Sequence, residues 1–120
     1  MRPEDRDYAR MYDMLACCNR LATLRVMSSL EQLIASEDLQ DIVIRRLIVL
    51  GEAARQVSEA TKARWSHVPW KDAISLRNLV VHEYAHADME ILWDIMSSDL
   101  PRLKEQLELV LGPSEHTSLP

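Results

Sequence analysis

The stretch QDIVIRRLIVLGEAARQVSE, Gln40 to Glu59, decides the fold of this 120-residue chain. Its apolar residues recur every three or four positions, and additional isoleucines and valines widen the apolar stripe well beyond a single seam. A stripe this wide predicts a helix from Leu39 to about Ala63 that is buried on two sides, by its own bundle and by a candidate second subunit. Gly51 lies inside this helix at a cost of about 1 kcal/mol relative to Ala, which indicates either a close approach of another helix or a harmless kink.

The composition predicts an all-α fold. The chain contains two Gly and five Pro, the residues that build the turns of a small β protein, and 48% of its residues are hydrophobic. Its length predicts one helical domain, residues 1–112, followed by a flexible tail, residues 113–120. The adjacent Cys17 and Cys18 match neither a metal-binding pair nor a redox pair, so we expect them to be packing residues in a reducing compartment.

The charge and hydropathy of the chain exclude several functional classes. No apolar run approaches the roughly 18 residues of a membrane span, and the charged N-terminus is unlike a secretory signal. We therefore expect a cytoplasmic protein without membrane contact. A net charge of −5 argues against indiscriminate coating of nucleic acid, which depends on Lys and Arg, so an RNA site would have to be a local basic patch.

Further helices precede and follow the central one. Apolar positions spaced by three and four predict a first helix from about residue 4 to the mid-20s. Ser28 and Ser29 are possible N-caps of a short second helix that ends near Ser36. After a loop at RWSHVPW, 64–70, the chain is expected to form a helix from Trp70 to about Val81.

The last predicted segment carries the most regular pattern in the chain, from Met89 to Val110. Asp88 is its expected N-cap, and Pro101 is expected to kink it or to divide it into two packed pieces. Together the segments predict a four- to five-helix up-and-down bundle, and the wide stripe of its central helix favours a dimer.

The stretch RNLVVHEYAH, Arg77 to His86, is compatible with two different active sites. Its second half, HEYAH, matches a zinc-protease pattern in which His82 and His86 would bind a metal and Glu83 would activate its water. That site needs both imidazoles on one continuous turn, whereas Asp88 as an N-cap predicts a helix boundary near them, and further ligands are scarce. We therefore favour the first half, RNLVVH, and expect neither a metal nor a cofactor.

The first half suits the cleavage of RNA without metal. Such a reaction needs a base for the 2′-hydroxyl proton, an acid for the leaving 5′-oxygen and a cation for the growing negative charge. His82 transfers protons near neutral pH, Arg77 offers a guanidinium fork for phosphate, and Asn78 lies on the helical face of His82 and is placed to orient either group. One His cannot easily be both acid and base, which favours a site shared by two copies across a dimer axis.

At these residues the chain resembles the HepT-like branch of the HEPN ribonucleases, whose signature is Arg, four residues, His, any residue and Tyr. Here the signature is Arg77, His82 and Tyr84, with Asn78 directly after the Arg. The segments QDIVIRRLIVLGEAARQVSE, VPWKDAISLRNLVVHEY and DMEILWDIMSSDLPRLKEQLE resemble the corresponding helices, so the resemblance covers roughly residues 7–111. It implies an all-α homodimer and a metal-independent RNA endonuclease, the toxin of a type VII-like toxin–antitoxin system.

The resemblance also implies roles for individual residues. Arg77 and His82 would be catalytic, Asn78 would be an accessory polar residue, and Tyr84 would be a modification acceptor. The implied partner is MntA, a minimal nucleotidyltransferase that transfers AMP from ATP to this Tyr and so silences the toxin. AMP beside the site would block and repel RNA phosphate, which makes physical sense of that role.

Some features leave alternatives open. His86 stands near a position where relatives commonly carry an apolar residue, and it either adds a second imidazole or begins a loop. The alternative to an enzyme is a catalytically inactive HEPN-like helical dimer that acts as a binding or regulatory module. In that case His82 is a helix-end residue, Arg77 a surface ion-pair partner and Tyr84 a packing residue. The weak candidates for RNA contacts, each also compatible with a solvated helix face, are Arg45, Arg46, Arg55 and Lys71.

Overall fold

A computed structural model describes residues 2–83 and 88–112, and across them the backbone forms helices without any strand. This confirms the expected all-α bundle. Four long helical runs build it, and two short helices connect them. The helices are α1 (Pro3–Met27), α2 (Leu30–Ala35), α3 (Glu37–Gln56), α4 (Glu59–Arg64), α5 (Trp70–Glu83), α6 (Met89–Asp94) and α7 (Leu100–Leu111), with a π-helical turn (Ile95–Asp99) between α6 and α7.

The central helix of the bundle is α3, which packs against α1, α2 and α5, while α1 also packs against α7. Its inner residues follow the predicted spacing of three and four, and burying each aliphatic side chain contributes roughly 1.5–3 kcal/mol. The outer flank of the stripe stays partly exposed, as at Ile42. The fully buried residues of the inner stripe are Val43, Leu47, Leu50 and Ala54.

The two cysteines lie in the core on α1, and both are free thiols. Burial raises the pKa of Cys17, and it raises the pKa of Cys18 to about 12. Both thiols therefore stay protonated near neutral pH and are poor nucleophiles. The prediction that they are packing residues is confirmed.

Local capping signals gave the correct ends for the short second helix. Ser29 is its N-cap, and the Ser29 hydroxyl accepts a hydrogen bond from the Gln32 N–H at 3.2 Å. Ser36 ends α2 and caps α3, because its hydroxyl accepts from the Leu39 N–H at 3.1 Å. Ser28 instead bonds back to the Leu24 carbonyl.

The predicted extension of the central helix to Ala63 is wrong. The helix ends at Gln56, and Ser58 starts α4 as an N-cap whose hydroxyl accepts from the Thr61 N–H at 3.3 Å. Asp7 of α1 stabilises this break, since its carboxylate accepts from the Ser58 N–H at 2.9 Å, the Ser58 hydroxyl at 2.5 Å and the Thr61 hydroxyl at 2.6 Å. A contact from a distant helix thus overrides a continuous apolar pattern.

The C-terminal run is divided near Pro101, as predicted, and the division takes the form of the π-helical turn. The Leu100 N–H donates to the carbonyl of Ile95, five residues earlier. Pro101 has no N–H, and in a regular helix its ring would collide with the carbonyl four residues earlier, which a wider turn relieves. The Arg25 Nε donates to the Ser97 hydroxyl at 2.9 Å and so ties α1 to this turn.

Gly51 marks the close crossing of α3 and α5. A Cβ atom placed there would lie 2.5 Å from the Cβ of Arg77 and 2.9 Å from its backbone nitrogen. Of the two alternatives for Gly51, the structure therefore shows the close approach of another helix. Within the described residues, no helix has the length and apolar character needed to span a lipid bilayer.

We predict that Gly51→Ala destabilises the protein. The added methyl group forces α3 and α5 apart at an overpacking cost of about 1–3 kcal/mol, which exceeds the roughly 1 kcal/mol gained from the better helix propensity of Ala. Urea unfolding monitored by circular dichroism should show the lower free energy of unfolding. A variant at least as stable as the wild type would contradict this tight contact.

We predict that Asp7→Asn destabilises the protein in a pH-dependent way. Burial alone would raise the pKa of Asp7, but the hydrogen bonds from Ser58 and Thr61 outweigh it and hold the pKa below its ordinary value. The ionised form therefore adds stability above the ordinary pKa, and this stability is lost as the pH falls through the folded-state pKa. Urea unfolding at pH 7 should show a loss of roughly 2 kcal/mol.

The difference between wild type and Asp7→Asn should shrink as the pH falls from about 4 towards 2. The matched control is Asp5→Asn, because Asp5 is exposed on the same helix and pairs with Arg2 at 3.3 Å. It should change stability by less than about 0.5 kcal/mol. An equal effect of both substitutions would refute the assigned role of Asp7.

Candidate active site

Arg77 lies on α5 where that helix crosses α3, and its side chain is 36% exposed. Its Nε lies 2.8 Å from Oε1 of Glu52 on α3, which is an ion-pair distance. Its Nη1 donates to the Asn78 Oδ1 at 3.2 Å. The guanidinium group is therefore held between the neighbouring helix and the next residue of its own helix.

The contact between Arg77 and Glu52 is an ion pair by distance and not a well-directed hydrogen bond. The buried Nε–H does not point at the nearby carboxylate oxygen, and it has no hydrogen-bond acceptor among residues 2–83 and 88–112. A small rotation of either side chain would complete the bond. Such imperfect alignment is common in active sites before substrate binds.

Glu52 is the residue that sequence reasoning missed. It also accepts a hydrogen bond from the Arg55 Nη2 at 3.0 Å, so one carboxylate serves two guanidinium groups. The hydrogen bond from Arg55, followed by the charges of Arg55 and Arg77, holds the pKa of Glu52 below its ordinary value, against a partial loss of solvation. The available signal was its position beside Gly51, where a second helix was expected.

His82 lies one residue before the end of α5, and its side chain is outside what the structure describes. Its backbone position is four residues after Asn78 and therefore on the same side of the helix. Arg77 donates to Asn78, so this hydrogen bond connects the guanidinium group to the residue that shares a helical face with His82. Tyr84 and His86 lie outside the described residues.

The boundary expected near the motif is present. α5 is described as far as Glu83, two residues beyond its predicted end, and Asp88 is the N-cap of α6, its Oδ1 accepting from the Glu90 N–H at 2.8 Å. Within the described ranges, no group of three or more His, Cys, Asp and Glu side chains could hold a metal ion. The zinc hypothesis depends on the side chains of His82 and His86, which lie outside what the structure describes.

The four weak candidates for RNA contacts occupy different places. Arg55 is exposed and shares Glu52 with Arg77. Arg46 is half-buried beside Cys17, while Arg45 and Lys71 are exposed. Of these four residues, Arg55 is the one that the described contacts connect to Arg77, through the carboxylate of Glu52.

The described side chains of the candidate site are accessible to different extents, since Arg77 is half-buried and Asn78 is exposed. A groove of about 460 Å³ runs between α5 and the segment from α6 to α7, with Leu76, Ile95 and Leu103 among its apolar lining residues. Arg77 and Asn78 do not line it.

The surface cluster of Glu52, Arg55 and Arg77 has a net charge of +1, from two guanidinium groups and one carboxylate. Arg77 has N–H groups that are engaged by neither Glu52 nor Asn78, since a guanidinium carries five donors. A planar, permanently charged donor group of this kind fits a phosphate diester. The arrangement can therefore bind a phosphate and stabilise negative charge on it.

Comparisons with known proteins identify the family of the chain. The family model described as Ribonuclease HepT-like matches residues 14–110. The "Putative RNase MJ1380" of Methanocaldococcus jannaschii is 31% identical over 102 residues, which cover 85% of this chain and 94% of that protein. The "Probable ribonuclease HepT" of Thermococcus cleftensis is 30% identical over 78 residues, 65% of this chain and 71% of that protein. No solved structure matches the chain.

The matched region contains Arg77, Asn78, His82 and Tyr84, together with Glu52 on the neighbouring helix. It also spans most of the chain, from the middle of α1 to the end of α7. The chain therefore belongs to the HepT-like ribonuclease family.

Proposed function

We propose that this protein is a metal-independent RNA endonuclease in which Arg77 and His82 are catalytic. The observation that carries the proposal is the partly exposed guanidinium group of Arg77, held by Glu52 and Asn78 on the helix that also carries His82. The family match supports RNA as the substrate. Asn78 acts as the accessory residue that draws the guanidinium group towards the His82 side of the helix.

The proposed reaction is an internal transfer at one phosphodiester. The 2′-oxygen attacks phosphorus as a base removes its proton, and the bond to the 5′-oxygen breaks as an acid protonates that oxygen. The products are a 2′,3′-cyclic phosphate and a 5′-hydroxyl end. Arg77 stabilises the charge that grows on the non-bridging oxygens.

A homodimer supplies the two proton-transfer groups in this proposal. His82 of one copy removes the 2′-proton, and the partner's His82 protonates the leaving oxygen, since one imidazole cannot easily serve both steps at once. The partly exposed outer flank of α3 supports a contact between copies. The dimer axis would then pass close to the two α5 helices.

We propose further that the protein is the toxin of a type VII-like toxin–antitoxin pair. A partner nucleotidyltransferase of the MntA type would catalyse attack of the Tyr84 hydroxyl oxygen on the α-phosphorus of ATP, with release of pyrophosphate. The attached AMP would place a negative charge two residues from His82, where it would compete with RNA for Arg77. The modification would thus silence the enzyme by charge and by bulk.

We predict that the purified, unmodified protein cleaves RNA in EDTA and that Arg77→Ala and His82→Ala each lower the rate at least about 100-fold. Helicity and mass in solution should stay unchanged. The matched controls are Arg102→Ala and His67→Ala, which remove exposed residues of the same types elsewhere on the molecule. Full cleavage by both site variants would rule out the assignment, and an inactive wild type would favour the binding module.

We predict that Tyr84→Phe abolishes silencing while it leaves cleavage within about threefold of the wild type. Incubation with the partner nucleotidyltransferase and ATP should add the mass of AMP to the wild type only, as read by intact mass spectrometry. Tyr12→Phe is the control, since Tyr12 is half-exposed on α1. Addition of AMP to the Tyr84→Phe variant would show that another residue is the acceptor and would contradict the prediction.

A further inference from the structure

We propose that Glu52 is a positioning residue. It holds the catalytic guanidinium group of Arg77 in the orientation that binds the RNA phosphate. The inference rests on the proposed function of Arg77 and adds a residue from a different helix to the site. Glu52 does not touch the reacting atoms in this proposal. It acts through Arg77.

The contacts of Arg77 divide its guanidinium group into a held edge and a free edge. The Nε lies 2.8 Å from the Glu52 carboxylate, and Nη1 donates one hydrogen to Asn78. The remaining Nη hydrogens are engaged by neither of these two contacts. The carboxylate of Glu52 near Nε and the amide of Asn78 at Nη1 thus determine which N–H groups of Arg77 are left to bind a phosphate.

The Cβ of Arg77 is fixed in position as well as its guanidinium group. Gly51 allows the backbone of α3 to approach so closely that any Cβ there would collide with the Cβ of Arg77. Glu52 is the next residue, so the same crossing that pins the stem brings the carboxylate to the guanidinium group. Because the Arg77 side chain is positioned at its Cβ and at its guanidinium group, it loses less conformational entropy when substrate binds.

Arg55 keeps the cluster attractive to RNA despite the carboxylate. Because Glu52 is shared between Arg55 and Arg77, the three side chains retain a net charge of +1 in a chain whose total charge is −5. Glu52 therefore orients Arg77 without cancelling the local positive charge. Removing its charge would raise the cluster to +2 and would not weaken RNA binding by charge.

The test is the steady-state cleavage of a short RNA by Glu52→Gln. We expect kcat to fall about 10- to 100-fold because Arg77 is misplaced, while KM stays equal or falls because the cluster becomes more positive. Glu52→Asp, which keeps the charge on a shorter stem, should restore part of kcat. A merely structural role would lower the melting temperature and leave the kcat of the folded fraction unchanged.

The matched control is Glu59→Gln, which removes an equal charge from an ion pair of 3.5 Å with Lys62 on α4. Its kcat and KM should equal those of the wild type. If Arg77→Ala abolishes cleavage but Glu52→Gln keeps the wild-type kcat, the inference about Glu52 is wrong and the proposed function stands. A rise in KM at unchanged kcat would also overturn it, since that result would make Glu52 a binding residue.

A second measurement is independent of cleavage. In this proposal a small rotation in solution completes the hydrogen bond from the Arg77 Nε–H to the Glu52 carboxylate. The Nε–H resonance, assigned by its loss in Arg77→Lys, should therefore exchange with water at least about 10-fold faster in Glu52→Gln than in the wild type, because the charged acceptor is gone. Equal exchange in both proteins would show that Glu52 does not hold Arg77. An inactive wild type with the expected exchange difference would refute the proposed function and leave the contact itself supported.

Discussion

Both the bundle and its candidate site depend on the close approach of α3 and α5 at Gly51. The absence of a side chain there lets α3 lie against the backbone of α5 at Arg77. The inner residues of α3 at the same time fill the core shared with α1. Helix α3 therefore packs against both α1 and α5, and the geometry of the site follows from the packing of the core.

The electrostatics of the site also follow from this crossing. An exposed ion pair on a surface contributes little, because water and salt screen it. Arg77 is different, since its Nε is buried beside Glu52 while its outer edge remains accessible. Partial burial strengthens the attraction that orients the guanidinium group, and the second guanidinium of Arg55 preserves a local positive charge in an acidic protein.

The failed prediction of the α3 boundary has a specific physical cause. The apolar pattern continues through Val57, so periodicity alone extends the helix towards Ala63. Asp7, on α1, binds the Ser58 N–H and the hydroxyls of Ser58 and Thr61, which satisfies the polar groups at a new helix start. The apolar periodicity of a segment depends on neighbouring residues only, so it cannot predict a contact with Asp7 on another helix.

The sequence by itself determined most of the helices, the cap at Asp88 and the resemblance to the HepT-like family. For the second helix and for Gly51 it left two alternatives each, and the structure chose the cap at Ser29 and the close approach of two helices. Periodicity and capping act within one or two turns, so the residues involved are neighbours in the chain. Only the tertiary structure decided that Glu52 and Arg55 join Arg77 in one cluster. That cluster depends on the angle and depth at which two helices cross, which the packing of the whole core determines.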